Sequence, residues 1–497
     1  MVRKLGALFG KAAVAPFAAI GRGAAAGGPL AWALHGVLLL AALGALWWLN
    51  GYLGLDRMVH APSWVLRSAW LPLLLLIAYS AVWAGYLAWR AFTEPDAASP
   101  FPDLDNAWRQ AAGALARSGR VLGDKPLVLV LGQPGDRDGA LLGALGVNAT
   151  CGPAPSEPHA PLRVAADSRA TYLLCHDASV LSVCTERLAQ RRAMARQRPA
   201  ALPVEARVPV ALRVGAEGPP VPLAAEPLAQ RGVDTMHHGD EPRSDPLLTR
   251  EEALTARRRL EHLLRLVSRD SGPGLPIDSV ALVVPCDAAD SDASAHQAGA
   301  AIREDLAAVA AVAGLRCPVG VVMSELQHVE GCGALLHTLP AERRVRRLGV
   351  DLPSDTTCTS YAIAEAVDWL TGELTPALCG RLYQVDADLA DNAALFALKS
   401  ALSDRSGRIA ELLSTGLAAG GPAAWPLAGC HLVATGDPLG GSQAFGFGVL
   451  DRLAEAPSHA RWTAEALAAD RSAHRWANRG YVALAATAAA VAVLVAV

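Results

Sequence analysis

Long apolar runs stand at both ends of this chain, and mixed apolar and polar periods fill its middle. From about Ala31 to Leu53 there is no acidic or basic residue, and from about Ser68 to Trp89 there is again none. Tyr481 to Val497 is a third such run. Each approaches the roughly 20 residues a helix needs to cross hydrocarbon, so the pattern predicts transmembrane helices at 31–53, 68–89 and 481–497. Trp47, Trp48 and Tyr52 suit one membrane interface, and Trp70, Trp83, Tyr86 and Trp89 suit the ends of the second run. Pro72 falls in the first turn of that run, where a missing N–H is tolerable.

Between the runs the period changes. Residues 103–120 read as an amphipathic helix, and Leu127 to Leu131 as a buried strand. A glycine-rich turn follows, then a helix from Ala140 to Leu145. Thr171 to Leu174 and Ser179 to Val183 read as two short strands. Residues 198–248 are rich in Pro, Ala and Gly without helical period, which predicts an insertion, either a linker or a docking arm. Thr249 to Arg269 is helical, and Thr249 with Glu252 makes a capping box. Ile277 to Pro285 and Pro318 to Met323 are apolar strands around a helix from Gln297 to Ala313. Strands alternating with helices predict an α/β domain at 90–350 built on a parallel sheet. Residues 351–480 read as a helical extension with a small β element, including a strand from Leu427 to Ala434. Gly440 to Ala444 lacks the last Gly of a nucleophile elbow and reads as a turn.

Charge adds orientation and removes some functions. The 44 basic and 47 acidic residues give −3, and no basic excess points to nucleic acid. Arg3, Lys4, Lys11 and Arg22 sit in an N-terminal tail (1–30) without an acid, and Arg471, Arg475 and Arg479 precede the third run. The positive flanks place the N-terminus and residues 90–480 in the cytoplasm. The tail either lies on anionic membrane lipid or is a solvated segment whose charges only set topology. Apart from His35, no acid or base falls inside the runs, which argues against a transporter. Nine cysteines without a CxxC pair predict free thiols. Cys175 with His176, and Cys430 with His431, are strand neighbours on opposite faces, so no metal site is expected.

The most informative chemistry is the turn after the first strand, Gly132 to Gly139. Strand, glycine turn and helix are the setting of a phosphate-binding loop. Such a loop needs a Lys for the terminal phosphates and a Ser or Thr for magnesium just before its helix. Asp138 and Gly139 stand there instead. A carboxylate about 4 Å from a phosphate charge, at an effective dielectric near 20, repels it by roughly 4 kcal/mol. The turn is either a disarmed phosphate loop or an ordinary glycine-rich surface turn.

Taken together, these segments resemble the IcmF/TssM family, the inner-membrane core protein of the type VI secretion system. The family's GPPGSGKTTLL loop lines up with Gly132 to Leu142; its first Gly, its Pro and its second Gly fall on Gly132, Pro134 and Gly135. Its Lys and Thr fall on Asp138 and Gly139, with Arg137 one residue away. The family's DEAVLIDTAGR resembles Asp177 to Arg187, which puts Val183 at the magnesium-side Asp and Glu186 at the switch Gly. Its PVYVLVTKCDLLAGF resembles Pro318 to Cys332, which puts Glu325 and Gln327 at the base-reading Lys and Asp. Residues 339–349 and 425–450 resemble further family segments.

The resemblance implies a membrane-anchored α/β fold. It would have two N-terminal transmembrane helices, a cytoplasmic GTPase-like domain with a parallel sheet and a helical extension, and a third C-terminal transmembrane helix. Residues 54–67 become a short periplasmic loop, and the C-terminus becomes periplasmic in a multi-pass protein of the bacterial inner membrane. The family's large periplasmic region is expected from a separate chain, or is dispensed with, or is lost by truncation. Losing phosphate, magnesium and base recognition together implies a scaffold that is not an enzyme, with no bound GTP, ATP or Mg. Expected partners are the other inner-membrane core subunit (TssL-like), baseplate proteins and further copies of the chain. Two alternatives stay open: a divergent NTPase switch in which Arg137 replaces the Lys, and an unrelated membrane-anchored adaptor.

Overall fold

The computed structural model describes residues 29–54, 64–93, 99–132, 137–157, 159–197, 246–271, 276–353, 358–385, 389–418, 424–437, 440–455 and 459–496. Nearly all of the 1–30 tail, most of the 54–67 loop and residues 198–245 of the insertion lie outside these, as do Pro134 and Gly135. The chain divides into two compact units, residues 1–98 with 469–497, and residues 99–468.

In the first unit the apolar runs become α1 (Pro29–Tyr52) and α2 (Trp64–Thr93). Asn50, 1% exposed, ties them together. Its amide nitrogen donates to the carbonyls of Arg67 at 3.0 Å and Ser68 at 2.9 Å, which gives both N–H groups a partner. Trp47, Trp48 and Tyr52 are exposed.

Among the described residues, however, no helix is long and apolar enough to cross a membrane. The expected transmembrane helices at 31–53, 68–89 and 481–497 are therefore corrected. α2 starts earlier than the apolar run and takes in Arg67. The last run is the end of a longer helix, Ala464–Ala496, whose first half carries Asp470, Arg471, Arg475 and Arg479.

The second unit runs, in chain order, through α3 (Pro102–Arg117), β1 (Leu127–Leu131), α4 (Asp138–Ala144), β2 (Cys151–Ala154), β3 (Leu162–Ala166), β4 (Thr171–Cys175), α5 (Val180–Gln197), α6 (Arg250–Asp270), β5 (Ser279–Pro285), α7 (Asp292–Ala313), β6 (Leu315–Arg316) and β7 (Val319–Ser324). It continues with α8 (Cys332–Thr338), α9 (Ala341–Arg344), β8 (Leu348–Asp351), α10 (Ser360–Asp368), α11 (Thr375–Val385), α12 (Leu389–Leu417), β9 (Leu427–Leu432), β10 (Ala434–Thr435), β11 (Gln443–Ala444), α13 (Val449–Ala454), β12 (Arg461–Trp462) and the start of α14 (Ala464–Ala496).

Eight strands form one sheet in the order β2-β3-β4-β1-β5-β7-β9-β8. The five central strands, from β4 to β9, are parallel. The expected all-parallel sheet is corrected at both edges, because β2 and β3 on one side and β8 on the other run antiparallel. β1, β5 and β7 are buried along their whole length, as strands covered on both faces must be. Alternation then splits their side chains. Leu127, Leu129 and Leu131 join a core with α3, α6, α7 and α12; Val128 and Val130 join a smaller one with α4 and α13.

Two local expectations change. Ser179 to Val183 is not a strand; it is the first turn of α5 and the residue before it. β9 was expected in a separate extension, yet it inserts into the main sheet beside β7, with Val321 opposite Cys430. The capping box is present, with the Thr249 hydroxyl accepting from the Glu252 N–H at 3.2 Å.

α7 and α12 approach each other closely through glycine. A Cβ on Gly299 would lie 2.6 Å from the Leu412 carbonyl, and one on Gly416 would lie 2.6 Å from Ile302. Gly299→Ala is expected to destabilise the protein by about 1–3 kcal/mol in urea unfolding. Gly139→Ala, whose Cβ meets nothing within 4 Å, is expected to be neutral or stabilising by up to about 1 kcal/mol.

Candidate functional site

The carboxyl ends of β1, β4, β5 and β7 define the site. The chain leaves β1 toward β4 on one side and returns to β5 on the other, and ligand crevices of open α/β sheets form at such a reversal. Four polar residues fix the geometry there. Ser179 precedes α5, and its hydroxyl donates to Asp305 of α7 at 2.6 Å. The N–H groups of Val180 and Leu181 donate to the same carboxylate at 2.8 and 2.9 Å. An anion at a helix N-terminus satisfies donors that have no partner in the helix itself. Asp305 is fully buried, and burial pushes its pKa up to about 6 against the opposing effect of these hydrogen bonds.

α5, so anchored, grips the first glycine of the loop. The Gly132 N–H donates to Ser182 Oγ at 2.9 Å, and the Thr185 hydroxyl donates to the Gly132 carbonyl at 2.6 Å. Gly132 has φ +101°, and a Cβ there would meet the Leu181 side chain at 2.9 Å. Both facts require glycine.

The residues singled out in the sequence separate into groups. Asp138 opens α4 and is 1% exposed. It accepts from Arg163 Nη1 at 3.2 Å and lies 3.0 Å from His176 Nε2. The other ring nitrogen of His176 faces the Ala160 carbonyl at 2.8 Å. Burial disfavours the imidazolium, but the hydrogen bond and charge of Asp138 outweigh it, so the His176 pKa is raised. Both ring nitrogens then act as donors. Gly139 is exposed on α4.

Arg137, just before α4, pairs with Glu325, just after β7. Glu325 is buried and left-handed, with φ +60°. Its second oxygen takes Arg192 of α5, which also holds Asp287 through Nε at 2.7 Å. Arg192 further donates to His328 Nδ1 at 2.6 Å. Burial, then the charges of Arg192, Arg196 and Arg137, push the His328 pKa down to about 4, so its ring is a neutral acceptor near pH 7. Gln327 turns away from this network; its Oε1 accepts from the Thr435 N–H at 2.9 Å. Val183 and Glu186 lie within α5, and Glu186 accepts from Gln190 at 3.2 Å. Of the ten positions, the structure brings Arg137 and Glu325 together. It places Asp138 in a separate buried pair, and it leaves Val183 and Glu186 out of the constellation.

Sequence reasoning missed Asp305, Ser182, Thr185, Arg163, Arg192 and Asp287, and weighed His176 only as a metal ligand beside Cys175. Asp305 follows Arg303 and Glu304 in the sequence and reads there as one of a solvated group of charges; its packing on the start of α5 is what sets it apart. All nine cysteines are free and buried. Among the described residues no group of three or more His, Cys, Asp and Glu is placed to hold a metal ion.

In comparison with known proteins, residues 254–481 match the model of the IcmF-related N-terminal domain. That stretch reaches from α6 through β5, β7, β8 and β9 into α14. No curated protein and no solved structure matches the chain.

Two titrations test the site. Between the ordinary carboxylate pKa and about 6 the folded state holds a proton on Asp305 that the unfolded state has released. Folding stability from this group therefore falls as pH rises through that window. Asp305→Asn is expected to lack that slope in unfolding curves recorded from pH 4 to 7. For His176, whose pKa is raised, the contribution is present below the unfolded value of 6.5 and is lost as pH rises through the folded value. Asp138→Asn is expected to lower the His176 pKa, followed through its imidazole NMR signals.

Proposed function

We propose a structural role for this chain, which carries an IcmF-related N-terminal domain over residues 254–481. It serves as a scaffold component of a type VI secretion apparatus at the bacterial inner membrane, and its GTPase-like domain performs no nucleotide chemistry. The observation that carries the reading is the charge network at the carboxyl end of the sheet. Arg137 of the glycine loop and Arg192 of α5 are already bound by Glu325 and Asp287. Asp138 is neutralised from within by His176 and Arg163.

The physical consequence is a site whose charges are satisfied by the protein itself. A triphosphate entering there competes with Glu325 for Arg137 and Arg192, and drawing off Arg192, the more buried of the two, strips that carboxylate of its inner partner. Breaking one side of a buried pair costs about 3–5 kcal/mol. Neither Asp138 nor Gly139 offers the ammonium or the hydroxyl that offsets such a cost in active phosphate loops. The sheet and its helices then remain as a rigid body on which other subunits dock. By the family relation these are a TssL-like inner-membrane subunit, baseplate proteins and further copies of the chain.

Calorimetric titration of Mg-GTP and Mg-ATP into the purified protein is expected to show no binding tighter than about 100 μM. Deleting the gene is expected to stop effector delivery in a strain that depends on this locus. Complementation with Arg137→Ala is expected to restore delivery, because the arginine serves no phosphate. Nucleotide binding that Arg137→Ala abolishes, together with failed complementation, would overturn the scaffold reading in favour of an NTPase switch.

A further inference from the structure

β8 forms the edge of the main sheet opposite β2, and no described strand of that sheet lies beyond it. The two edges are built differently. β2 carries Pro153 and pairs with β3 through a register shift, devices that close an edge to further strands. β8, from Leu348 to Asp351, has neither. The Leu352 N–H donates to the Ala428 carbonyl at 2.9 Å, so Leu348, Val350 and Leu352 are the residues that bond to β9. Gly349 and Asp351 then turn their N–H and C=O groups outward. Among the described residues these groups meet no backbone partner.

The approach to that edge is basic and held in place. Arg343 and Arg344 end α9, and Arg346 and Arg347 follow in the turn into β8, against Glu342 and Asp351. Arg344 spends its donors on the turn itself, with Nε on the Leu339 carbonyl at 2.9 Å and Nη1 on that of Gly441 at 3.3 Å. Its own carbonyl accepts from the Phe445 N–H at 2.7 Å. Arg347 pairs with Asp351 at 3.2 Å. Arg343 and Arg346 are exposed, and among the described residues their side chains make no hydrogen bond or ion pair. Val345 between them is 50% exposed.

We propose that the β8 edge docks an extended acidic segment of a partner protein, which adds to the sheet as a further strand. Backbone pairing with Gly349 and Asp351 supplies affinity, and alternate apolar side chains of the segment cover the half-buried Val350. Acids flanking the strand meet Arg343 and Arg346, and the same two guanidiniums repel a basic segment. β8 is only four residues long, so backbone pairing alone is weak and the charges decide which segment stays. The surface gives the scaffold reading one concrete docking site and rests on that reading for its role. Its chemistry is independent of the glycine loop.

The test uses the full-length purified protein and a blocked, fluorescein-labelled peptide with glutamates at both ends and alternating threonine and valine between them. Fluorescence anisotropy is expected to show saturable binding with Kd below about 100 μM, weakening as salt is raised. Hydrogen exchange read by mass spectrometry is expected to slow over 345–352 at saturation. The double variant Arg343→Glu, Arg346→Glu is expected to lose about tenfold in affinity. Both residues are exposed, so the variant keeps the fold; unchanged unfolding curves check that. No saturable binding overturns the proposal, as does binding without protection of 345–352. An affinity unchanged in the double variant, or matched by a peptide with lysine for glutamate, overturns the acidic assignment. Self-association of the chain through 345–352 in place of peptide binding makes a second copy the occupant and overturns it too. Any of these outcomes leaves the nucleotide titrations and the complementation, which decide the scaffold reading, untouched.

Discussion

One buried carboxylate holds the functional edge of this protein in place. Asp305 projects from α7 and takes three donors at the start of α5. Through α5 it sets Ser182 and Thr185 on the two backbone polar groups of Gly132. Gly132, with its positive φ, is the point at which the chain leaves β1. The same helix carries Arg192 to Glu325 and Asp287. Remove the carboxylate, and the loop and the charge network lose their common reference. The arrangement is costly in isolation, because a charge is taken out of water. It persists because each lone pair that faces the protein finds a donor.

The parts of the fold that could be read from the chain are those fixed by local chemistry. β1, β5 and β7 are unbroken apolar runs between turn signals, and α6 announces its start with Thr249 and Glu252. The parts that escaped depend on distant partners. Ser179 to Val183 has the composition of a short strand. It becomes helical because its cap lies 126 residues further on. β2 and β3 make the sheet mixed, yet the run Cys151-Gly152-Pro153-Ala154 carries no strand signature of its own. It pairs because β3 offers an edge.

The candidate site was legible in outline and not in detail. The glycine turn after β1 and the acid after β7 were visible as departures from a phosphate-binding pattern. What those departures do was not visible, since it rests on pairs such as Arg137 with Glu325 and Arg192 with Asp287, separated by 188 and 95 residues. The apolar runs near the chain ends were read too simply, as spans. Helix bounds follow hydrogen bonding and not hydropathy, so α2 and α14 extend past the apolar residues into charged ones. Asn50 shows the same principle at the scale of one residue; a polar group in an apolar run reads as neutral until its acceptors on α2 are known.

The insertion of β9 beside β7 has a consequence for synthesis on the ribosome. β8 ends at Asp351, but its only neighbour in the sheet, β9, begins at Leu427. At about 5–20 residues per second, several seconds separate the two as the chain emerges. Through that interval β7 presents an open, mostly apolar edge, and the helices of 360–417 must collect without the strand that closes the sheet beneath them. Nascent chains of this protein therefore pass through a stage in which a holding chaperone, or early packing of α12 on α7, decides between folding and association with a neighbouring copy.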